Sequence, residues 1–189
     1  MVQLCLDRKW ESVVNLQIDR ASFDPMVFPL DPLWFTRPGS IHGLSHTRRV
    51  LIHAAAIAAS VPMDDDEFES LVLAIAWHDI GRTHDGWDRE HGAKSVARIA
   101  ELGLAEGIED PILARIRFAV ELHSTYDELA AERAARLPEQ ESLLRVLWVL
   151  KDADGLDRVR IADLDPRQLR HSLSRTMVDR AWELLRQLP

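Results

Sequence analysis

Residues 74–82 read Ala74-Ile75-Ala76-Trp77-His78-Asp79-Ile80-Gly81-Arg82, and the reading of this stretch decides the fold. It closes an apolar run in which Phe68, Leu71, Val72 and Ile75 recur at helical spacing. His78 lies three positions after Ile75 and Asp79 four, so both side chains extend the inward stripe. An unpaired carboxylate is too costly to bury. Either an ion pair or a metal has to satisfy Asp79, and the partners must come from other segments.

Working outward, each flanking segment reads as helix. Upstream, residues 45–59 carry His46, Val50, His53, Ala54 and Ile57 on one face and stop before Pro62. The central helix starts behind Asp64, Asp65 and Asp66, acids suited to a helix N-terminus, and runs to Asp79 or Ile80. Residues 81–89 are polar and form a loop. A third helix spans residues 90–102, with Gly103 near its end. A fourth, opened by Asp110 and Pro111, places Ile112, Ile116, Ala119, Val120 and His123 on one face. Residues 126–138 give a short charged helix and a linker. A fifth long helix carries Leu143, Leu147, Leu150 and Asp154, and a last one, about residues 167–188, carries Leu169, Leu173, Met177, Ala181 and Leu184. No alternating apolar run is long enough for a sheet. The expected fold is all-α, a single-domain helical bundle over residues 1–189.

The N-terminal 40 residues stand apart. Val13, Val14, Leu16 and Ile18 suit a short helix within residues 1–20, with a strand as the competing reading. Pro25, Pro29, Pro32 and Pro38 exclude a regular helix over residues 21–39, while Phe23, Met26, Phe28, Trp34 and Phe35 suit a covering strap, favoured over a substrate lid.

Composition narrows the function classes. With 23 Lys and Arg against 31 Asp and Glu, the formal net charge is −8, which disfavours general nucleic-acid binding. A single cysteine, Cys5, removes internal disulfides and thiolate metal sites. Asp7, Arg8, Lys9, Glu11 and Asp19 interrupt any signal-peptide core, and no stretch approaches a membrane span, so a cytoplasmic protein without membrane association is expected.

The chemistry-bearing residues now line up: His46, His78-Asp79, His91, His123 and Asp154, each except His91 on an apolar stripe. One such residue alone is more often a satisfied core group. Five segments each delivering His or Asp inward call for a common neutralising partner, and a divalent metal both neutralises and orients. Imidazole and carboxylate without thiolate suit Mn, Fe, Co, Ni, Zn or Mg.

The ordered set, with flanks His46-Thr47-Arg48-Arg49-Val50, His78-Asp79-Ile80-Gly81-Arg82, His91-Gly92 and Ala153-Asp154-Gly155-Leu156-Asp157, resembles the HD-domain superfamily of metal-dependent phosphohydrolases over residues 41–160. The resemblance implies that His46, His78, Asp79 and Asp154 bind one ion. It implies that Asp79 bridges to a second ion held by His91 and His123, with one or two ions in all. It further implies metal-assisted hydrolysis of a phosphate ester or anhydride of a nucleotide or other small phosphorylated metabolite, with Asp79 catalytic. Arg82 and Arg49, each three residues after a ligand, are placed to meet a phosphoryl group. His42 reaches toward the pocket mouth, and His84 competes with His91. His53 reads as core, and Asp157 as a group that orients a ligand or pairs with Arg158 or Arg160. Asp152 points to the opposite side, and His171 reads as exposed. A diiron oxygenase on the same fold and a non-catalytic, metal-stabilised module remain alternatives. The chain lacks the Gly-Tyr-Pro of cyclic-dinucleotide hydrolases and the Leu-His-Asn of alarmone hydrolases, so neither substrate is favoured.

Overall fold

The computed structural model describes residues 18–189, and within them the chain is helical with no strand. The N-terminal helix expected within residues 1–20 falls almost wholly outside this range; Ile18, its one described apolar member, is buried and non-helical. Eight α-helices occur among the described residues. They are α1 (Leu44–Ala58), α2 (Asp65–Trp77), α3 (His91–Glu101), α4 (Asp110–Leu122), α5 (Asp127–Ala134), α6 (Gln140–Asp157), α7 (Ser172–Thr176) and α8 (Val178–Gln187). No helix is long and apolar enough to cross a membrane.

Local signals set the helix ends. Asp64 caps α2 by accepting from the Glu67 N–H at 2.8 Å, while the Glu67 carboxylate accepts from the Asp64 N–H at 3.1 Å. That reciprocal box satisfies two donors that a helix start leaves open. Pro111 occupies the first turn of α4, where no N–H is needed. Gly103, at φ +66°, reverses the chain after α3.

The bundle is built around α2, which packs most heavily on α4 and also on α6 and α1; α1 in turn lies along α6. The sequence suggests one inward stripe on α2. Instead every residue from 70 to 81 is buried, because helices cover one side and the N-terminal strap covers another. Trp34 of that strap stacks edge-on against Trp77 at 6.4 Å between ring centroids. The Thr36 N–H donates to the Ile80 carbonyl at 2.9 Å. Phe28, Trp34 and Phe35 are thus core residues, and the segment closes the bundle instead of lying over its surface.

The single last helix expected over residues 167–188 is replaced by a short 3-10 turn (Pro166–Gln168), α7 and α8. The cause is Asp152. Its buried carboxylate accepts from the backbone N–H groups of Arg170 (2.8 and 3.0 Å) and His171 (2.8 Å) and from His171 Nδ1 (2.9 Å). Leu169 and His171 are held extended, so helical pairing cannot run through them. His171, expected to be exposed, is therefore half-buried and bonded.

Candidate metal centre

Asp79 sits two residues beyond the last residue of α2, in a tight turn that the neighbouring backbone approaches closely. A Cβ on Gly81 would stand 2.5 Å from the Ser95 nitrogen, so only glycine lets α3 lie against this turn. At the other contact of α3, a Cβ on Gly92 would stand 2.5 Å from the Glu121 carbonyl oxygen. These two approaches bring His91 beside both Asp79 and His123.

The two carboxylate oxygens of Asp79 face different partners. Oδ2 lies 3.1 Å from His42 Nδ1, 3.6 Å from His46 Nε2 and 3.5 Å from His78 Nε2. Oδ1 lies 3.4 Å from His91 Nε2, 3.6 Å from His123 Nε2 and 3.0 Å from Arg82 Nε. Asp154 Oδ1 adds a carboxylate 3.4 Å from His46 Nε2. Three sets among these residues have ligand atoms close enough to share an ion: His42, His46 and Asp79; His46, His78 and Asp154; and His78, Asp79 and His123.

The other ring nitrogens decide what the converging ones can do. His78 Nδ1 donates to the Ile75 carbonyl (2.7 Å), His123 Nδ1 to the Val120 carbonyl (2.8 Å) and His91 Nδ1 to the Asp88 carbonyl (2.6 Å). A carbonyl only accepts, so Nδ1 carries the proton in each and a neutral ring presents a bare Nε2. His46 Nδ1 is tied in the same way to Asp157 Oδ2 at 2.7 Å. His46 and His78 bring their Nε2 atoms to 3.1 Å, and His91 and His123 theirs to 2.8 Å. Two lone pairs that close are satisfied by a proton shared between them or by a metal ion that both bind. In His78, His91 and His123 the backbone sets the tautomer that a metal requires, and in His46 Asp157 does.

Electrostatics reinforce this. Burial pushes His78 down to about 3, and burial, helped by the neighbouring His123 imidazole, pushes His91 down to about 4. Both rings therefore stay neutral and ligand-ready near pH 7. Burial works against ionisation of Asp79, but the imidazoles of His78, His123, His42 and His46 outweigh it and hold the carboxyl well below its usual range. Asp154, whose side chain is 24% exposed, is likewise lowered: burial opposes ionisation, while His46, Arg160 and His78 favour it by more. Anionic carboxylates and neutral imidazoles are the donor set that hard-to-borderline divalent ions take.

The six ligands expected from the sequence, His46, His78, Asp79, His91, His123 and Asp154, are thus brought together, and Arg82 stands beside them. Arg49 is not among them. Its Nε and Nη2 grip Asp157 at 2.6 and 3.0 Å, and its Nη1 donates to the Leu188 carbonyl at 2.7 Å. This corrects the expectation that Arg49 meets a phosphoryl group; it fixes Asp157, which fixes His46. Asp157 bonds His46, an expected ligand, and pairs as expected with Arg160, whose Nη1 lies 3.5 Å from its Oδ2, while Arg158 pairs with Asp163 instead. His84 is half-exposed beside Asp88 at 3.8 Å and does not replace His91. His42, by contrast, reaches Asp79 directly. Arg160, expected only as a partner of Asp157, also reaches the centre: its Nε donates to the Ile41 carbonyl at 2.9 Å and its Nη2 lies 3.1 Å from His42 Nδ1. Only its place three residues after Asp157 hinted at this.

A family model described as HD domain matches residues 43–159, a span holding all six expected ligands. Comparison with curated proteins and with solved structures gave no match.

Proposed function

The chain belongs to the HD-domain family, and from that premise we propose that it is a phosphohydrolase whose Asp79 and two flanking imidazole pairs would hold two divalent ions. The observation that carries this reading is the division of labour across one carboxylate. Oδ2 of Asp79 faces His46 and His78, and Oδ1 faces His91 and His123. A site for a single ion has no use for the second pair of bare imidazole nitrogens.

In this reading His46, His78, Asp79 and Asp154 would hold one ion, and Asp79, His91 and His123 the other. Divalent ions held there would supply Lewis acidity toward phosphoryl oxygens and lower the pKa of a bound water. The chain's own contribution is placement. Arg82 is fixed by Asp79 through Nε and by the Gly86 carbonyl through Nη1 at 3.2 Å, which aims a permanent positive charge at the edge of the centre. Small phosphate esters and anhydrides, nucleotides among them, are the substrate class that such a cationic, water-accessible edge accepts.

The test couples elemental analysis to a panel of p-nitrophenyl phosphates, nucleotides and phosphodiesters with Mn, Co, Ni, Zn or Mg supplied. Turnover on at least one ester, abolished by Asp79→Ala, is expected. Inactivity on the whole panel together with two tightly held irons and a mixed-valence paramagnetic signal would replace hydrolysis with oxygen chemistry.

A further inference from the structure

We propose, on the two-ion reading of the centre, that helix α8 sets how tightly the half around His46 holds its ion. The control runs from the Leu188 carbonyl through Arg49 and Asp157 to His46 Nδ1. Of the four imidazoles whose Nε2 atoms converge, three have Nδ1 tied to a backbone carbonyl only three positions away: His78 to Ile75, His91 to Asp88 and His123 to Val120. His46 is the exception. Its Nδ1 meets Asp157 Oδ2 at 2.7 Å, across 111 positions, so its orientation follows whatever holds that carboxylate. Arg49 holds it by a two-pronged pair, Nε to Oδ1 at 2.6 Å and Nη2 to Oδ2 at 3.0 Å, with Arg160 Nη1 farther off at 3.5 Å. The third prong, Arg49 Nη1, donates to the Leu188 carbonyl at 2.7 Å.

Leu188 ends α8, and its N–H is spent on the Leu184 carbonyl at 2.9 Å, which fixes where its own carbonyl points. A helix end leaves its last carbonyls without partners and carries partial negative charge, so the buried Arg49 guanidinium caps it well. That bond is the only hydrogen bond joining residues 178–189 to α1 or α6 among the described residues. The apolar hold is narrow, since Ala181 and Leu184 are the buried residues of α8. An open cleft of about 360 Å³, bordered by Leu30, Leu44, Arg48, Gln187 and Leu188, runs beside its last turn. The last turn therefore leaves its seat at little cost in buried surface. The guanidinium then loses the group that fixes its plane, and Asp157 and His46 turn with it. The Nδ1 partners of His91 and His123 have no such link to α8, which itself lies beyond the span that the family model matches. The two halves of the centre thus answer differently to one helix.

Two substitutions at one position separate the carbonyl from the side chain. Leu188→Pro deletes the N–H that holds the carbonyl and forces φ away from −130°, while Leu188→Ala keeps both backbone groups. Zinc affinity of the full chain is read by competition with a chromophoric chelator that resolves the two ions. Leu188→Pro should weaken one ion about tenfold and leave the other unchanged, and Leu188→Ala should restore wild-type binding of both. In the metal-free protein, NMR follows solvent exchange of the imidazole Nδ1–H protons. Leu188→Pro should speed exchange at His46 and not at His78, His91 or His123. Equal weakening of both ions, no weakening, or the same weakening in Leu188→Ala overturns the proposal, as does an unchanged His46 proton. Neither readout uses an ester, so inactivity on the phosphate panel counts against the hydrolase reading alone. A wild type that binds one ion counts against the two-ion reading, and the His46 proton still decides the role of α8.

Discussion

His53 shows how one residue can carry the cost of the architecture around it. It lies on the same face of α1 as His46, is fully buried, and neither ring nitrogen has a hydrogen-bond partner among the described residues. Burial pushes it down to about 4, so it stays neutral in the folded protein where an unfolded chain titrates near 6.5. The unfolded state therefore binds more protons between these values, and stability is full above about pH 6.5 and lost as pH falls toward 4. The loss through this group is about 1.4 kcal/mol per pH unit, roughly 3 kcal/mol in all. Urea unfolding of the wild type and of His53→Leu at pH 7 and pH 4.5 should show the variant losing less by about that slope. At the centre itself, Asp157 stands behind His46, accepting from its Nδ1 and from Arg49. Asp157→Asn should weaken metal affinity about 10- to 100-fold in competition with a chelator, with the fold retained.

At the scale of elements, helix starts and apolar faces were legible in the chain because they depend on neighbours in sequence. The Asp64 cap and the Pro111 start are examples. The break between Pro166–Gln168, α7 and α8 was not, because it is imposed by Asp152, a carboxylate reaching across 18 positions to the Arg170 backbone. Leu169, Leu173, Met177 and Ala181 keep helical spacing, yet a buried acceptor outweighs that periodicity by capturing the N–H groups a continuous helix would need. Asp152→Ala strips the acceptor from several donors at once and should destabilise the protein by about 3 kcal/mol. Amide exchange should accelerate first in Ser172–Thr176 and Val178–Gln187, while α1–α4 keep their protection. Gly92→Ala tests the opposite kind of constraint. A methyl group 2.5 Å from the Glu121 carbonyl must push α3 off α4. The His91–His123 pair opens, and the bound metal measured per protein should fall by about one ion.

Over the whole molecule, the centre joins α1, the turn after α2, α3, the end of α4 and α6, so ion binding and folding are linked. An ion supplied at about 1,000 times its dissociation constant should add about 4 kcal/mol. Thermal melts with and without a chelator should differ accordingly, and the difference should vanish in Asp79→Ala. By itself the sequence determined the all-helical class and the identity of the inward histidines and aspartates, since 3.6-residue periodicity and the cost of burying charge are both readable along a chain. It named His46, His78, Asp79, His91, His123 and Asp154 without showing which atoms converge. Tertiary structure alone decided that Asp79 turns one oxygen to each imidazole pair, that Arg49 serves Asp157 and that His42 joins while His84 does not. It also decided that the proline-rich strap buries Trp34 against Trp77. Those outcomes depend on distances between segments remote in sequence, and such distances are fixed only when the helices pack.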